Sequence, residues 1–497
     1  MAESKHLIGI DLGTSGLKAS VFDETGNLLG QAYRQATYLP GPAGHMEQRP
    51  EQWRDDMYSA LREVLALESV KPGEIAGIGI CGLQHCPVFL DKDGNSSRSV
   101  IQLHDQRLAR SREELAESGV LGRIEKSTRS MVSAAHFPPI FHYVEQHDPD
   151  GLGRTRWILL AKDYLRFTLT GEIGTEICDA SGTNLIGAGE SDWSTELCDI
   201  LSVPIECLPP ISLPTDTAGE LSKAAAEASG LPAGTPVVYG GGDSHCALLG
   251  LGCIDNGDTG LLLGTNSTLR TVFDRFVSHP EIKLWGQRHI IPGRHTISAS
   301  SMAGASVVNW FRESFFSGDA QGFDDLEKAA GEISVGSEGL TFLPYVHGER
   351  CPFYDPDAAG AFMGIKPRHE PVHFLRSIIE GLALNIANCS ELIEECAEAG
   401  GTGIGALRLG GGGSRATLRR QVISDCLNKP IRIMRTEEAG TLGAAMLAGI
   451  GANIYTDCRQ AIVSTIVEQE IIEPNAERHA AYIKLKNKFN ALHRRIQ

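Results

Sequence analysis

Basic residues are scarce in this chain. Against 62 Asp and Glu stand 45 Lys and Arg, a net charge of −17 over 497 residues. That excludes the cationic face that nucleic-acid binding needs. No Gly-Lys dipeptide occurs, which excludes a Walker A loop. No 18-residue apolar run exists, the most apolar stretch being Thr441 to Tyr455, so no membrane span is expected. The opening Met1-Ala-Glu-Ser-Lys-His6 lacks a long apolar segment, so no signal peptide and a cytoplasmic location are expected. The 12 cysteines are scattered without repeated spacing. They read as reduced, mostly buried thiols rather than a disulfide framework. An acidic balance still allows a phosphate-handling enzyme, because backbone N–H groups and a metal ion can hold a nucleotide.

What is present is a chain of ordinary globular make-up, 42% hydrophobic and 22% charged, long enough for two to four domains at about 150 residues each. Leu7 to Ile10 and Ala19 to Phe22 flank a Gly-Thr loop, and Asp23-Glu-Thr-Gly-Asn27 is a turn before Leu28. This spacing predicts an antiparallel meander, not a strand followed by a helix. Pro50 ahead of Trp53, Met57, Leu61 and Val64 predicts a helix with proline at its start. Ile75 to Ile80 and Val237 to Tyr239 read as strands, and Ala161 to Leu169 and Ser244 to Leu251 as helices, the latter with Ser244 near its N-cap.

The chain contains a copy of its own beginning. Gly9 to Asp23, GIDLGTSGLKASVFD, and Gly260 to Asp274, GLLLGTNSTLRTVFD, agree at seven of fifteen positions. A single match at so large an offset is not a solenoid. It suggests two domains that each open with the same hairpin, one over residues 1–254 and one over residues 255–497.

Asp11-Leu-Gly-Thr-Ser-Gly-Leu-Lys18 has the parts of a phosphate loop. Gly13 and Gly16 let the backbone approach a ligand, successive N–H groups can form an anion-binding nest, Thr14 and Ser15 add hydroxyls, and Lys18 adds charge. Asp11 can serve Mg²⁺, which takes few carboxylates and several waters. A plain hairpin turn is the competing reading, but the second copy at Gly264-Thr265-Asn266-Ser267 favours two loops gripping one polyphosphate. Gly240-Gly-Gly-Asp243 places a carboxylate between a strand and a helix. There it can take a proton from a substrate hydroxyl or cap the helix. Gln84, His85 and Asp105 stand just past apolar runs, where polar groups often line ligand sites. Two motif matches are rejected. Gly77-Ile-Gly-Ile-Cys-Gly82 satisfies G-x-G-x-x-G, but no helix follows it at once. His369-Glu-Pro-Val-His373 satisfies H-E-x-x-H, but Pro371 keeps His369 out of the helix.

The gapped pattern as a whole resembles the FGGY carbohydrate kinases of the actin-like ATPase superfamily. The residues that carry the likeness include Ile10-Asp-Leu-Gly-Thr-Ser-Gly16, Glu47-Gln-Arg-Pro-Glu-Gln-Trp53, Ala161-Lys-Asp-Tyr-Leu165, Asp179-Ala-Ser-Gly182, Met302-Ala-Gly304-Ala-Ser306, Gly348-Glu-Arg-Cys-Pro352 and Gly360-Ala-Phe-Met-Gly364. The resemblance implies an α/β protein of two ribonuclease-H-like domains around a central cleft, with sugar on the N-terminal side and MgATP against the C-terminal domain. It implies Asp243 as catalytic base and Asp11, with Asp243, toward Mg²⁺. Thr14, Ser15, Lys18, Gly264, Thr265 and Asn266 would lie near the terminal phosphates. Gly304, Gly412 and Gly413 would lie against the nucleoside, and Gln84, His85 and Asp105 against sugar hydroxyls. The partners implied are a small sugar and ATP, with neither nucleic acid nor membrane; a homodimer is compatible with this reading. The Gln84-His85 pair is one residue from the Met-His usual in xylulokinases, so the leading acceptor is a ketopentose such as D-xylulose. Leu103-His104-Asp105-Gln106-Arg107 departs from the family's W-N-D-x-R, losing an aromatic wall and leaving related ketoses and polyols open. An ordinary carboxylate of pKa near ~4 would suffice as base for a loose transition state. An actin- or chaperone-like ATPase with a protein ligand shares the same two-loop grip.

Overall fold

The computed structural model describes residues 5–316, 320–400, 403–411, 413 and 416–493. Its first three strands are the expected meander: β1 (His6–Gly13), β2 (Gly16–Asp23) and β3 (Leu28–Gln35), paired antiparallel. The Asp23 carboxylate accepts from the backbone N–H of Thr25 and Asn27, the aspartate turn that the sequence signals. Pro50 opens α1 (Pro50–Leu65), which buries Trp53, Met57, Leu61 and Val64 against the sheet. β4 (Ile75–Gly82) then lies parallel to β1. With β5 (Thr217–Glu220), β6 (Pro236–Val238) and β7 (Gly241–Gly242) the sheet runs β5-β6-β4-β1-β2-β3, β7 pairing with β4.

The second sheet repeats this plan. β8 (Thr259–Leu263) and β9 (Ser267–Phe273) form the copied hairpin. β10 (Trp285–Arg288) and β11 (His295–Ser301) continue the antiparallel part, and β12 (Leu407–Gly410) and β13 (Ile431–Met434) add parallel strands beside β8. With β14 (Glu468–Ile472) the order is β10-β11-β9-β8-β12-β13-β14. In each sheet antiparallel strands that start from the hairpin, three in the first and four in the second, are followed by two parallel strands and an antiparallel edge strand. The likeness seen in fifteen residues thus extends over both halves.

Two helices join the halves crosswise. α2 (Asp243–Gly250) follows the first sheet, yet its Ala247 and Leu248 pack with Val272 and Met434 of the second. Farther on, α3 (Pro371–Gly400) is the long helix behind the second sheet. Next, α4 (Ala439–Gly451) belongs to the C-terminal chain but packs on the first sheet, against Leu7, Phe22 and Cys81. Its approach is backbone to backbone. A Cβ on Gly9 would stand 1.8 Å from Thr441 O, and one on Gly79 would stand 2.0 Å from Ala444 O. The rejected G-x-G-x-x-G segment therefore has a packing reason for its glycines, since only a residue without Cβ admits a helix so close. All twelve cysteines are buried and unpaired. Among the described residues no helix is long and apolar enough to cross a membrane.

Candidate active site

The two Gly-Thr hairpins end at one cavity of about 680 Å³, lined by Thr14 and Ser15 from one loop and by Gly264, Thr265 and Asn266 from the other. The loops close differently. Gly13 pairs with Gly16, leaving a two-residue turn; Leu263 pairs with Ser267, leaving three residues. Gly16 has φ +153, and a Cβ there would meet Arg34 O at 2.0 Å, so glycine is required. Tyr38 Oη donates to Thr14 O at 3.0 Å and Ala36 N to Ser15 O at 2.9 Å, fixing the first tip. Gly13 sits at the end of β1, beside the lining residues.

Asp11 and Lys18 are cross-strand partners in this hairpin, and both line the cavity. Lys18 Nζ binds Glu438 Oε2 at 2.5 Å, and Glu438, just ahead of α4, lines the cavity too. Asp11 Oδ1 is buried without a hydrogen-bond partner. Burial raises the Asp11 pKa against the opposing pull of Cys81 and Lys18. An orphaned carboxylate oxygen in a cavity with Asp243 and Glu438 fits Mg²⁺. Among the described residues no three His, Cys, Asp or Glu side chains cluster as a metal cage, which suits an ion that keeps waters and shares itself with phosphates.

Asp243 lines this cavity and also a second one of about 200 Å³. The strand-to-helix turn that presents it depends on glycine: Gly240 has φ +78 and would place a Cβ 1.9 Å from Ile80 O. The helix begins at Asp243 itself, with Gly242 at the N-cap. Ser244 thus stands near the N-cap as expected, whereas Asp243 is the first helical residue and not the cap. The Ser244 hydroxyl is turned to Gln84 Oε1, 2.8 Å away, while the carboxylate of Asp243 suits the positive helix end. Burial first, then the nearby Asp11 charge, push the Asp243 pKa up to about 7. This corrects the ordinary carboxylate assumed from sequence: the pocket removes solvent from the charged form.

The second cavity, room for about seven waters, is walled by both halves: Gln84, His85 and His136 on one side, Arg270, Trp285 and Arg350 on the other. Gln84 bridges Ser244 and His245, at 2.8 and 3.0 Å. His85 takes a positive φ of +65 and donates from Nδ1 to Gly182 O at 2.7 Å. Gly182 ends a short helix, Ile177–Gly182, capped by the Glu176 carboxylate. Behind it lies a fully buried ion cluster, with Lys162 Nζ 2.7 Å from Asp163, 3.5 Å from Glu176 and 3.9 Å from Asp179. The segments Ala161–Leu165 and Asp179–Gly182 thus meet to support His85. Burial holds His85 neutral, its pKa lowered to about 4, and burial with the neighbouring His85 and Arg350 holds that of His136 well below its ordinary value.

Other expected residues fall elsewhere. Asp105 is 3% exposed and spends its oxygens on Arg107 and the Met46 N–H; its neighbour His104 lines both cavities instead. Gly304 and Gly413 border a small apolar cavity of about 20 Å³ with Leu263, Val308 and Ile379. Both abut backbone: a Cβ on Gly304 would lie 2.5 Å from Thr265 O, and one on Gly413 would lie 2.9 Å from Leu263 O. Gly412 lies outside the described residues. In the rejected zinc motif, α3 starts at Pro371, leaving His369 before the helix. Sequence reasoning missed Glu438 and Arg270. Arg270 had a signal, a lone charge in the strand Ser267–Phe273.

Models of the FGGY family of carbohydrate kinases match both parts of the chain, the N-terminal domain over residues 6–250 and the C-terminal domain over residues 257–452. The chain belongs to the FGGY family of carbohydrate kinases. It is 30% identical to the xylulose kinase of Escherichia coli (strain K12) over 493 residues, 98% of this chain and 99% of that one. A crystal structure described as a xyloylose kinase from Brucella ovis superposes with TM-score 0.89 at 28% identity, covering 99% of each chain. A gluconate kinase from Lactobacillus acidophilus shares the fold, with TM-score 0.91 at 23% identity over 99% of this chain and 98% of that one. This FGGY kinase therefore has a sugar-kinase fold.

Proposed function

We propose that the protein transfers the γ-phosphoryl group of ATP to a terminal hydroxyl of an open-chain ketose, with D-xylulose the leading acceptor. The observation that carries this reading is the position of Asp243, the carboxylate common to the polyphosphate-sized cavity and the sugar-sized one. The xylulose kinase of E. coli, similar over nearly the whole chain, supports the choice of acceptor. In this scheme residues 1–254 carry the base and most of the acceptor wall, and residues 255–497 carry the nucleotide side, with Gly304 and Gly413 toward the nucleoside.

Asp243 accepts the proton of the acceptor hydroxyl as that oxygen bonds to the γ-phosphorus. The bond from γ-phosphorus to the β–γ bridging oxygen breaks, and ADP leaves. A base with a pKa near neutrality is well matched to this transfer. Lys18 and the N–H groups of both hairpins hold phosphate oxygens, so much of the acceleration comes from positioning and charge neutralisation. Asp11, with Asp243 nearby, would hold Mg²⁺, which supplies further neutralisation of the phosphates.

An ADP-release screen over ketoses and polyols tests the acceptor, and Asp243→Asn tests the base. The variant should lose about 10²–10⁴-fold in kcat while still binding ATP and sugar. Turnover within a few-fold of wild type removes Asp243 from the role. ATP hydrolysis indifferent to every sugar would instead favour an actin-like ATPase.

A further inference from the structure

Four N–H donors of the acceptor cavity are buried without a partner among the described residues: Arg270 Nε, Arg350 Nε, Trp285 Nε1 and Gln287 Nε2. The side chains of Arg270, Trp285 and Gln287 are only 5–7% exposed. Arg270 is held by neutral groups, donating from Nη1 to Gln287 Oε1 at 2.7 Å and standing 2.9 Å from His245 Nε2. Arg350 Nη2 donates to Asn266 Oδ1 at 2.9 Å, once that amide is oriented to serve Met302 O as well. Neither guanidinium makes an ion pair among the described residues, and Asp243 is the one carboxylate lining this cavity.

Donors so placed discriminate between oxygens. A hydroxyl brings a proton that itself needs an acceptor; a carbonyl or carboxylate oxygen brings only lone pairs. Against these donors a carbonyl or carboxylate oxygen is satisfied outright, whereas a hydroxyl accepts but must also find a partner for its own proton, Ser298 Oγ being a further unpartnered atom of this wall. Unpaired buried groups are what a site rejects most strongly. His85 and His136 add no charge of their own, because burial keeps both neutral, with Arg270 and Arg350 acting on His85 and His85 and Arg350 acting on His136.

The geometry points to Arg270 and Arg350 as a two-guanidinium subsite that recognises an oxidised carbon of the acceptor, a carbonyl or carboxylate, and so excludes polyols. It rests on the sugar-kinase reading above and deepens it. Arg270 is the specificity-determining residue, because it is the lone charge on β9 and lines the cavity beside Thr268 of the same strand.

The test compares kcat/KM for D-xylulose, D-xylonate and xylitol in the wild-type protein, Arg270→Gln, Arg270→Lys and Trp285→Phe. The expected result is at least a 100-fold preference for D-xylulose or D-xylonate over xylitol. Arg270→Gln should shrink that ratio at least tenfold, Arg270→Lys should restore part of it, and the KM for ATP should stay within threefold. D-Xylulose outrunning D-xylonate identifies the carbonyl as the group read; the reverse identifies the carboxylate. Xylitol turned over as well as its oxidised counterparts, or an Arg270→Gln loss equal for all three, overturns the subsite. If Arg270→Gln does not fold, Trp285→Phe, which removes one donor and keeps the ring, must shift the ratio in the same direction. Should no acceptor be phosphorylated, the kinase reading fails separately. Calorimetric binding of the same three compounds then decides the subsite, tighter binding of the oxidised pair upholding it and equal binding overturning it.

Discussion

The two hairpins share a sequence and a cavity but not a chemistry. In the first, the cross-strand pair facing the cavity is Asp11 and Lys18; in the second, the pair at the matching place is Leu262 and Thr268. The first hairpin brings both charges, and the second brings backbone and shape. The second half places its own charge two residues farther along β9 than Thr268, at Arg270, which lines the smaller cavity. A one-residue difference in loop length sets that register, and in a strand one residue decides the face. The two copies of the motif thus face the cavities with different chemistry.

Charge is the sharpest way to break the comparison. Asp11→Asn should cost about 10²–10³-fold in kcat, the scale for losing a preorganised electrostatic group, whereas Leu262→Asn should stay within about threefold in a steady-state assay of the same preparation. Equal losses would mean that the hairpins are chemically equivalent. Packing gives the next contrast. Gly9 and Gly260 hold the same motif position, yet a Cβ on Gly9 meets the Thr441 carbonyl at 1.8 Å, while one on Gly260 meets the tip of the Leu248 side chain at 2.6 Å. Backbone cannot yield as a leucine can. Gly9→Ala should cost about 1–3 kcal/mol, seen as a lower thermal midpoint, and Gly260→Ala clearly less; the reverse order would show that α4 does not hold the first sheet as described.

A smaller effect concerns the salt bridge between the halves. Glu438 is paired with Lys18, so under the proposed phosphate role of Lys18 it would compete with ATP. Glu438→Gln should tighten ATP about two- to fivefold by titration calorimetry, the range of a partly exposed ion pair; an unchanged Kd would show no competition. The mildest expectation concerns pH. His85 and His289 have folded pKa values lowered to about 4 and about 3, chiefly by burial, against about 6.5 unfolded. Below that value the unfolded chain takes up protons that the fold refuses, so stability is complete above pH ~6.5 and falls toward pH ~4. Melting at pH 7.5, 6 and 5 should show a declining midpoint, with a shallower decline in His289→Gln. An equal slope in the variant would remove His289 from the effect.

Much of the fold was legible because its signals are local. Pro50 and the apolar positions after it marked α1, Asp23 to Asn27 marked a turn, and the repeated Gly-Thr segment marked both sheets. The candidate site was only half legible. Asp11, Lys18 and Asp243 stand in glycine-rich loops, whose chemistry shows in a short window. Arg270 and Arg350 are 80 residues apart in sequence, and join His85 only at the wall of the smaller cavity, which both halves line. Asp105 looked like His104 from sequence, two polar residues past a strand; Arg107 and the Met46 N–H claim the aspartate, and the histidine is left facing both cavities. The crosswise helices were beyond reach, since what places α4 on β1 is a set of missing Cβ atoms on a different part of the chain.

Amide hydrogen exchange with and without a non-hydrolysable ATP analogue and Mg²⁺ tests the shared grip most directly. Both Gly13–Gly16 and Gly264–Ser267 should exchange more slowly when the analogue is bound. Protection of one hairpin with the other unchanged would contradict a single polyphosphate held from both halves.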